Sequence, residues 1–302
     1  MQIIRPNNRD NNGKPIIYNS PMEAGLVKTN WDLSKFVLKH QHSYAGSEGT
    51  NPYLSPDGKR MFLNYGSNLI LRDMVPYNLS TIRLADNQNV SGWQCVSSWT
   101  SGGCNNLGYA YWFSPAGTTL YSCDDGRNGY CRINRWDNIT AWEYPMTQTA
   151  SSYIDLTTDV DGGYGIWGLQ FKPDGTKMYV FGTPSSWANK MFQYTLSTPW
   201  DITTATLDTS VQIGNYTEYK NAYIIPDGTK LILCNTNGIV YAFAMASAWN
   251  ITGFTGATYT QKAVATEFTG MGEAQYGVTF NEQGSKMFVI ENSVRKYYEY
   301  IG

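Results

Sequence analysis

Apolar and polar positions in this chain alternate in short runs that are closed off by turn formers. The third copy of a recurring pattern shows this best. Leu169-Gln170-Phe171-Lys172 leads into a turn, Lys177-Met178-Tyr179-Val180-Phe181 leaves it, and Met191-Phe192-Gln193-Tyr194-Thr195-Leu196 comes next. Runs rich in aromatic and β-branched residues, bounded by Gly, Pro, Asn, Asp and Ser, predict β-strands. No stretch longer than about ten residues keeps a helical apolar period. The chain therefore reads as all-β.

The strands recur in register with a tight turn: Pro56-Asp57-Gly58, Pro115-Ala116-Gly117, Pro173-Asp174-Gly175, Pro226-Asp227-Gly228 and the degenerate Glu282-Gln283-Gly284. Pro presets φ in such turns and Gly takes the left-handed conformation. Three residues after each Gly an apolar strand begins, at Met61, Leu120, Met178, Leu231 and Met287. The glycines stand 59, 58, 53 and 56 residues apart. A repeat this long, with several strands per copy, predicts a radial β-array, that is, a five-bladed β-propeller. A β-sandwich with coincidental turns is the competing reading, and it does not account for five copies in phase.

A second mark repeats with the turns, an aromatic-Asp/Asn-aliphatic-Ser/Thr element. It reads Tyr77-Asn78-Leu79-Ser80, Trp136-Asp137-Asn138-Ile139-Thr140 (one residue longer), Trp200-Asp201-Ile202-Thr203 and Trp249-Asn250-Ile251-Thr252. The fifth copy stands at the other end of the chain, at Trp31-Asp32-Leu33-Ser34. The segment from Trp31 to about Tyr44 is therefore expected to supply the outer strand of the last blade, which removes an open sheet edge. The domains read as an N-terminal docking tail, 1–30, and the propeller, 31–302.

Charge changes the picture by exclusion. The net charge is −2, 15% of residues are charged, and the 22 Lys and Arg are scattered. That is a poor footprint for nucleic acid or an anionic membrane, and no run approaches the ~20 apolar residues of a membrane span. The chain begins without the layout of a secretory signal, yet its low charge and its wealth of aromatic, Thr, Ser, Asn and Gly residues have an extracellular look. Release by lysis, as for a virion component, reconciles the two. A secreted form with its signal removed is the alternative. Of five cysteines, Cys123 and Cys131 flank a turn and are placed to face each other across a hairpin, while Cys95 and Cys104 bracket a Ser/Gly/Trp loop. Four cysteines allow three pairings, and four reduced thiols are an equally open reading. Cys234 stands alone in a strand as a small buried apolar residue. Zinc is disfavoured, since the histidines, His40 and His42, lie in the closing strand of another blade.

The string Pro173-Asp174-Gly175-Thr176-Lys177-Met178-Tyr179-Val180, followed by Tyr194-Thr195-Leu196-Ser197-Thr198-Pro199-Trp200-Asp201-Ile202, resembles the propeller repeats of phage structural and tail-associated proteins and of aquatic bacterial surface proteins. The resemblance covers roughly Trp31 to Gly302 and is strongest in copies three and four. Copy two departs from it, with Ala116 in place of Asp and a Cys-bearing hairpin. The resemblance implies five or more blades and an interaction role, with no catalytic residues to carry over.

Chemistry in such a fold resides in the central channel and in the loops of one face, here called the top. The channel strands are expected at Thr50–Ser55, Tyr109–Ser114, Ile166–Lys172, Tyr219–Ile225 and Gln275–Asn281, and none contains Asp or Glu. Glycoside hydrolysis needs a placed carboxylate pair, so the chain reads as a non-enzyme without a cofactor. Glu48, Glu218 and Glu273 precede the turns of adjacent copies and form a candidate acidic or cation-binding cluster at one channel mouth, with inherited solvated loops as the bland reading. Asp155, Asp159 and Asp161 read as a solvated acidic turn, because their spacing does not fit an EF-hand loop. The top loops carry Trp93, Trp99, Tyr130, Tyr164, Trp187 and Tyr216 among amides and hydroxyls, a composition suited to stacking on and hydrogen-bonding a glycan. The alternative is that each ring packs on its own blade. In the tail, Ile3-Ile4 and Ile16-Ile17-Tyr18 are apolar anchors in a segment expected to be disordered alone and to order on docking. Together these features point to a non-enzymatic phage virion protein (tail fibre, receptor-binding or capsid decoration), its tail binding other virion proteins and its loops a host-surface glycan. The alternative is a secreted bacterial lectin or carbohydrate-active enzyme.

Overall fold

Near the N-terminus, the two apolar anchors of the tail pair with each other. In the computed structural model, β1 (Ile3–Arg9) and β2 (Pro15–Tyr18) are antiparallel, with Ile3 opposite Tyr18 and Ile4 opposite Ile17, and form a two-stranded sheet of their own. The segment expected to be disordered alone thus has a hairpin register. The structure describes residues 3–9, 15–18, 31–43, 52–65, 68–90, 110–123, 131–143, 150–160, 165–183, 188–215, 219–235, 237–254, 259–263, 276–281, 284–291 and 295–302.

A short 3-10 turn, Leu33–Lys35, leads into β3 (Val37–Ser43). Four four-stranded blades follow in chain order. Blade 1 is β4 (Tyr53–Leu54), β5 (Arg60–Tyr65), β6 (Asn68–Val75) and β7 (Asn78–Val90). Blade 2 is β8 (Tyr111–Phe113), β9 (Leu120–Cys123), β10 (Arg132–Trp136) and β11 (Ser152–Asp155). Blade 3 is β12 (Gly165–Phe171), β13 (Lys177–Thr183), β14 (Ala188–Leu196) and β15 (Ala205–Asn215). Blade 4 is β16 (Tyr219–Ile224), β17 (Lys230–Asn235), β18 (Ile239–Ala244) and β19 (Tyr259–Ala263). The fifth has three strands from the C-terminal end, β20 (Tyr276–Phe280), β21 (Lys286–Glu291) and β22 (Lys296–Ile301), and β3 completes it by pairing antiparallel with β22. The expected closure is therefore present. The first strands pack against one another around the axis, β8 with β12, β12 with β16, β16 with β20, and β20 with β4.

Both faces of each blade are covered by neighbours, which is why strands such as β21 read as near-continuous apolar runs. The core is accordingly divided into five clusters, one per seam between blades. Phe62 and Leu71 meet Phe113 and Trp136 between blades 1 and 2, and Tyr121 and Ile133 meet Phe171 and Val180 between blades 2 and 3. Phe181 and Met191 meet Leu231 and Phe243 between blades 3 and 4, and Ile232 and Cys234 meet Val289 and Tyr298 between blades 4 and 5. Met61 and Leu63 meet Phe288 and Tyr297 across the closure.

One sequence assignment is corrected. Trp136 is a strand residue of β10 opposite Leu120 and is 1% exposed, so it does not open the repeated element of blade 2. Trp142 takes that place. In blades 1, 3 and 4 the backbone N–H of the element's aromatic residue donates to the carbonyl of the turn glycine: Tyr77 to Gly58, Trp200 to Gly175 and Trp249 to Gly228. In blade 2 Trp142 makes that bond to Gly117. The Trp-Asp-Asn-Ile-Thr string matches the repeat by composition, whereas the fold selects Trp142, whose ring reaches the turn.

Candidate functional site

The repeated polar residues are consumed in holding the rim opposite the top. Each turn glycine has positive φ, and its α-carbon lies directly under an aromatic ring: Tyr77 over Gly58, Trp142 over Gly117, Trp200 over Gly175, Trp249 over Gly228 and Trp31 over Gly284. The next residue caps the element from its side chain. Asp201 Oδ1 accepts from the Thr203 amide at 3.1 Å and from its hydroxyl at 2.7 Å, and Asp32 and Asn78 do the same for Ser34 and Ser80. These bonds, led by that from the Thr203 hydroxyl, hold the Asp201 carboxyl below its usual range despite burial. The aliphatic residue that follows, Leu33, Leu79, Ile202 or Ile251, is at most 1% exposed and wedges against the preceding blade.

The same element closes every seam through one backbone carbonyl. Arg60 Nη1 of blade 1 donates to the carbonyl of Trp142 in blade 2 at 2.6 Å. Tyr121 of blade 2 donates to that of Trp200 in blade 3 at 2.7 Å. Tyr179 of blade 3 donates to that of Trp249 in blade 4. Lys230 of blade 4 donates to Trp31 of the closing segment at 3.2 Å, and Lys286 of blade 5 to Tyr77 of blade 1 at 2.6 Å. Five seams thus share one acceptor position with two kinds of donor. A cation two residues after the turn glycine serves three seams, and a tyrosine four residues after it serves two. Burial pushes the Tyr121 hydroxyl up to about 12 and raises that of Tyr179 further. Deeper in, Gln170 bridges the inner strands of blades 3 and 4, donating to the Ile224 carbonyl and accepting from its amide, both at 2.6 Å.

The residues singled out for function fall unevenly on this frame. Trp93, Trp99, Tyr130, Tyr164, Trp187 and Tyr216 lie outside the described residues, as do Glu48, Glu218, Glu273, Cys95, Cys104 and Asp161. The side chains of the tail anchors Ile3, Ile4, Ile16, Ile17 and Tyr18 are likewise not described, and only their backbone pairing is. Cys123 and Cys131 are both buried, but the hairpin register sets Cys123 opposite Ile133. Cys123 stands as a thiol, donating to the Ala110 carbonyl at 3.2 Å. A disulfide across this hairpin is therefore not what the structure contains. Cys234 is fully buried, as expected of an apolar stand-in, and burial pushes its thiol up to about 12. Asp155 is held by Arg132 at 3.1 Å and caps Thr157, while Asp159 accepts from the Tyr194 hydroxyl at 3.1 Å. Among the described residues no cluster of His, Cys, Asp and Glu has the arrangement of a metal site.

Sequence reasoning missed two buried carboxylates, both in blade 5. Glu299 in β22 is 4% exposed, with one oxygen on Lys286 Nζ at 2.6 Å and the other accepting from the Leu79 amide at 2.9 Å. It thereby ties the last blade to the first. Glu291 is fully buried at the top end of β21 and accepts from the Tyr298 hydroxyl at 3.0 Å. They lie on the second and third strands of the blade, β21 and β22, and not on the channel-lining first strand. A polar residue inside an apolar run (Val289-Ile290-Glu291 and Tyr298-Glu299-Tyr300) was the available signal. Both glutamates act as hydrogen-bond acceptors that fix strand ends, and Glu291 does so directly beneath the top rim.

No protein-family model and no curated protein sequence matches the chain. Among solved structures, the chain is similar to the β-propeller domain of Cps50 (Swd1) from Myceliophteria thermophila, at 10% identity and a TM-score of 0.43, over 88% of this chain and 99% of that one. The chain itself folds as an all-β, five-bladed propeller.

Proposed function

We propose that this protein is a non-enzymatic structural and binding component of a phage particle, attached through its N-terminal tail and presenting the loops of its top face to a host-surface glycan or to neighbouring virion proteins. The observation that carries the reading is the division of labour in the fold. The repeated polar groups on the turn rim and seams are engaged in holding the blades. The aromatic and amide-rich segments fall in the sequence between the described strands and outside the turn motifs. The tail supports attachment because, among the described residues, its strands pair with each other in a sheet separate from the blades. A lone two-stranded hairpin is marginal in water and gains stability from a partner.

The test is deletion of residues 1–24 from the full chain in its native assembly. The expected outcome is an unchanged thermal unfolding midpoint and loss of the protein from particles, with glycan binding by the isolated protein retained. Incorporation of the truncated chain, or a full-length protein that occurs only as a free monomer, overturns the virion reading.

A further inference from the structure

The seam between blades 5 and 1 differs from the other four because it joins segments far apart in the chain. It is also where the two histidines of the protein sit. His40 lies opposite Glu299 and His42 opposite Tyr297 in the ladder between β3 and β22. Directly opposed residues share a sheet face, so both imidazoles are on the face that Glu299 and Tyr297 turn toward blade 1. The His42 ring stacks on that of Tyr297 at 6.3 Å and 19°. Across the seam, Arg72 of β6 is paired with Met61, a member of the same apolar cluster, and its guanidinium acts on His42.

The charged groups facing this place among the described residues are Arg72 from β6, Lys286 from β21, Glu299 from β22 and His40 from β3 itself. Of β7, which packs on β3, Ile82 faces the seam, and Arg83 is paired with Asp73. Glu299 is the carboxylate of the group, and it is already engaged by Lys286 and the Leu79 amide. A proton on the His42 imidazole therefore adds a positive charge beside the Arg72 guanidinium, in a half-buried place whose described carboxylate, Glu299, is already committed.

We propose that this seam is an acid-sensitive latch, in which protonation of His42 in the closing strand releases β3 from β22 and opens the ring between blades 5 and 1 while the other four seams stay closed. The inference does not depend on the virion reading. Burial first, then the charges of His40 and Arg72, hold the His42 imidazole below its usual range. The unfolded or opened chain thus binds the proton better than the closed ring does. The stabilisation is complete above the ordinary histidine range near pH 6.5 and is lost as pH falls through the lower value of the closed state. Histidine is the side chain suited to such a switch between pH 5 and 8.

The test is native-state hydrogen exchange on the full chain at pH 7.5 and pH 5.0, with each amide corrected for its intrinsic rate. The expected result is a several-fold loss of protection at pH 5.0 confined to β3 and β22, with β12 to β14 of blade 3 unchanged. The loss should disappear in the His42→Gln variant. Should that variant not fold, Arg72→Gln gives an independent reading, because removal of the facing guanidinium shrinks the acid loss. An acid loss spread evenly over all blades, a loss that persists in these variants, or no loss at pH 5.0 overturns the proposal.

Discussion

A tryptophan with positive φ is an uncommon residue, and this fold uses one or a tyrosine in every blade. Trp31, Tyr77, Trp142, Trp200 and Trp249 have φ of 34°, 54°, 61°, 67° and 56°. The left-handed region costs about 1–2 kcal/mol for an L-residue with a β-carbon. In Tyr77, Trp142, Trp200 and Trp249 the strain is offset because that conformation aims the N–H at the turn carbonyl while laying the ring over the glycine, and Trp31 lays its ring over Gly284 in the same way. The glycine is then required twice over. In Gly175→Ala the new methyl meets Trp200 Nε1 at 2.3 Å on a backbone of φ +73°. We expect a loss of roughly 3–5 kcal/mol, combining the conformational penalty with displacement of the half-buried Trp200 ring. Gly253 has φ +81° but open space around its α-carbon, so Gly253→Ala should lose only ~1–2 kcal/mol. Urea unfolding of the two variants checks this, and equal losses would show that the ring contact contributes nothing. The turn glycines and the aromatic residues were both legible as a repeat. That they touch was not, because the residues between them vary from 18 to 24 in number.

At the scale of the elements, the strands of a blade have little to hold them to the next blade except side chains, and the seams show two ways of doing this. Tyr121 and Tyr179 join the middle blades through neutral hydroxyls, whereas Arg60, Lys230 and Lys286 join the seams nearest the closure through charge. Lys286 has the larger task, since it also neutralises Glu299, whose side chain is 5% exposed. Lys286→Met should destabilise by about 3–5 kcal/mol, because it leaves a buried carboxylate without its cation. Adding Glu299→Gln should restore most of that, as Gln193 already serves the equivalent position in blade 3, where it accepts from the Ile251 amide at 3.1 Å. A double-mutant cycle followed by chemical unfolding measures the coupling, and additive losses would mean that the pair is not a unit. Apolar alternation predicted the strands, and the match between Trp31 and the internal elements predicted the closing strand. The donors escaped notice because they occupy two different offsets from the turn and differ in chemistry.

The molecule as a whole closes through five similar seams, so its response to solution conditions follows from what each seam holds. Tyr121 is kept neutral up to about pH 12 by burial in the folded state, against an ordinary tyrosine value near 10. A raised folded-state value means that its contribution is complete below about pH 10 and is lost as pH rises from there toward about 12. The urea midpoint should therefore fall steeply over that interval. Tyr121→Phe should flatten part of the fall, and an unaltered slope in that variant would remove Tyr121 as a cause. Acid acts at a different seam, through His42, so the two ends of the pH scale load different joints of one ring.

What the sequence determined alone is periodic: strands of alternating polarity, tight turns that demand Pro and Gly, five copies, and a fifth aromatic element displaced to the chain's start. These are local in origin, because turn chemistry and strand patterning act over a few residues, and repetition made them visible. The tertiary structure decided everything that depends on distance across a seam. It replaced Trp136 with Trp142, set Ile133 rather than Cys131 opposite Cys123, buried Glu291 and Glu299, and gave one backbone carbonyl per blade a donor from its neighbour. Sequence spacing carries no information about which side chain of one blade meets which of the next, since that is set by how twisted sheets pack around a common axis.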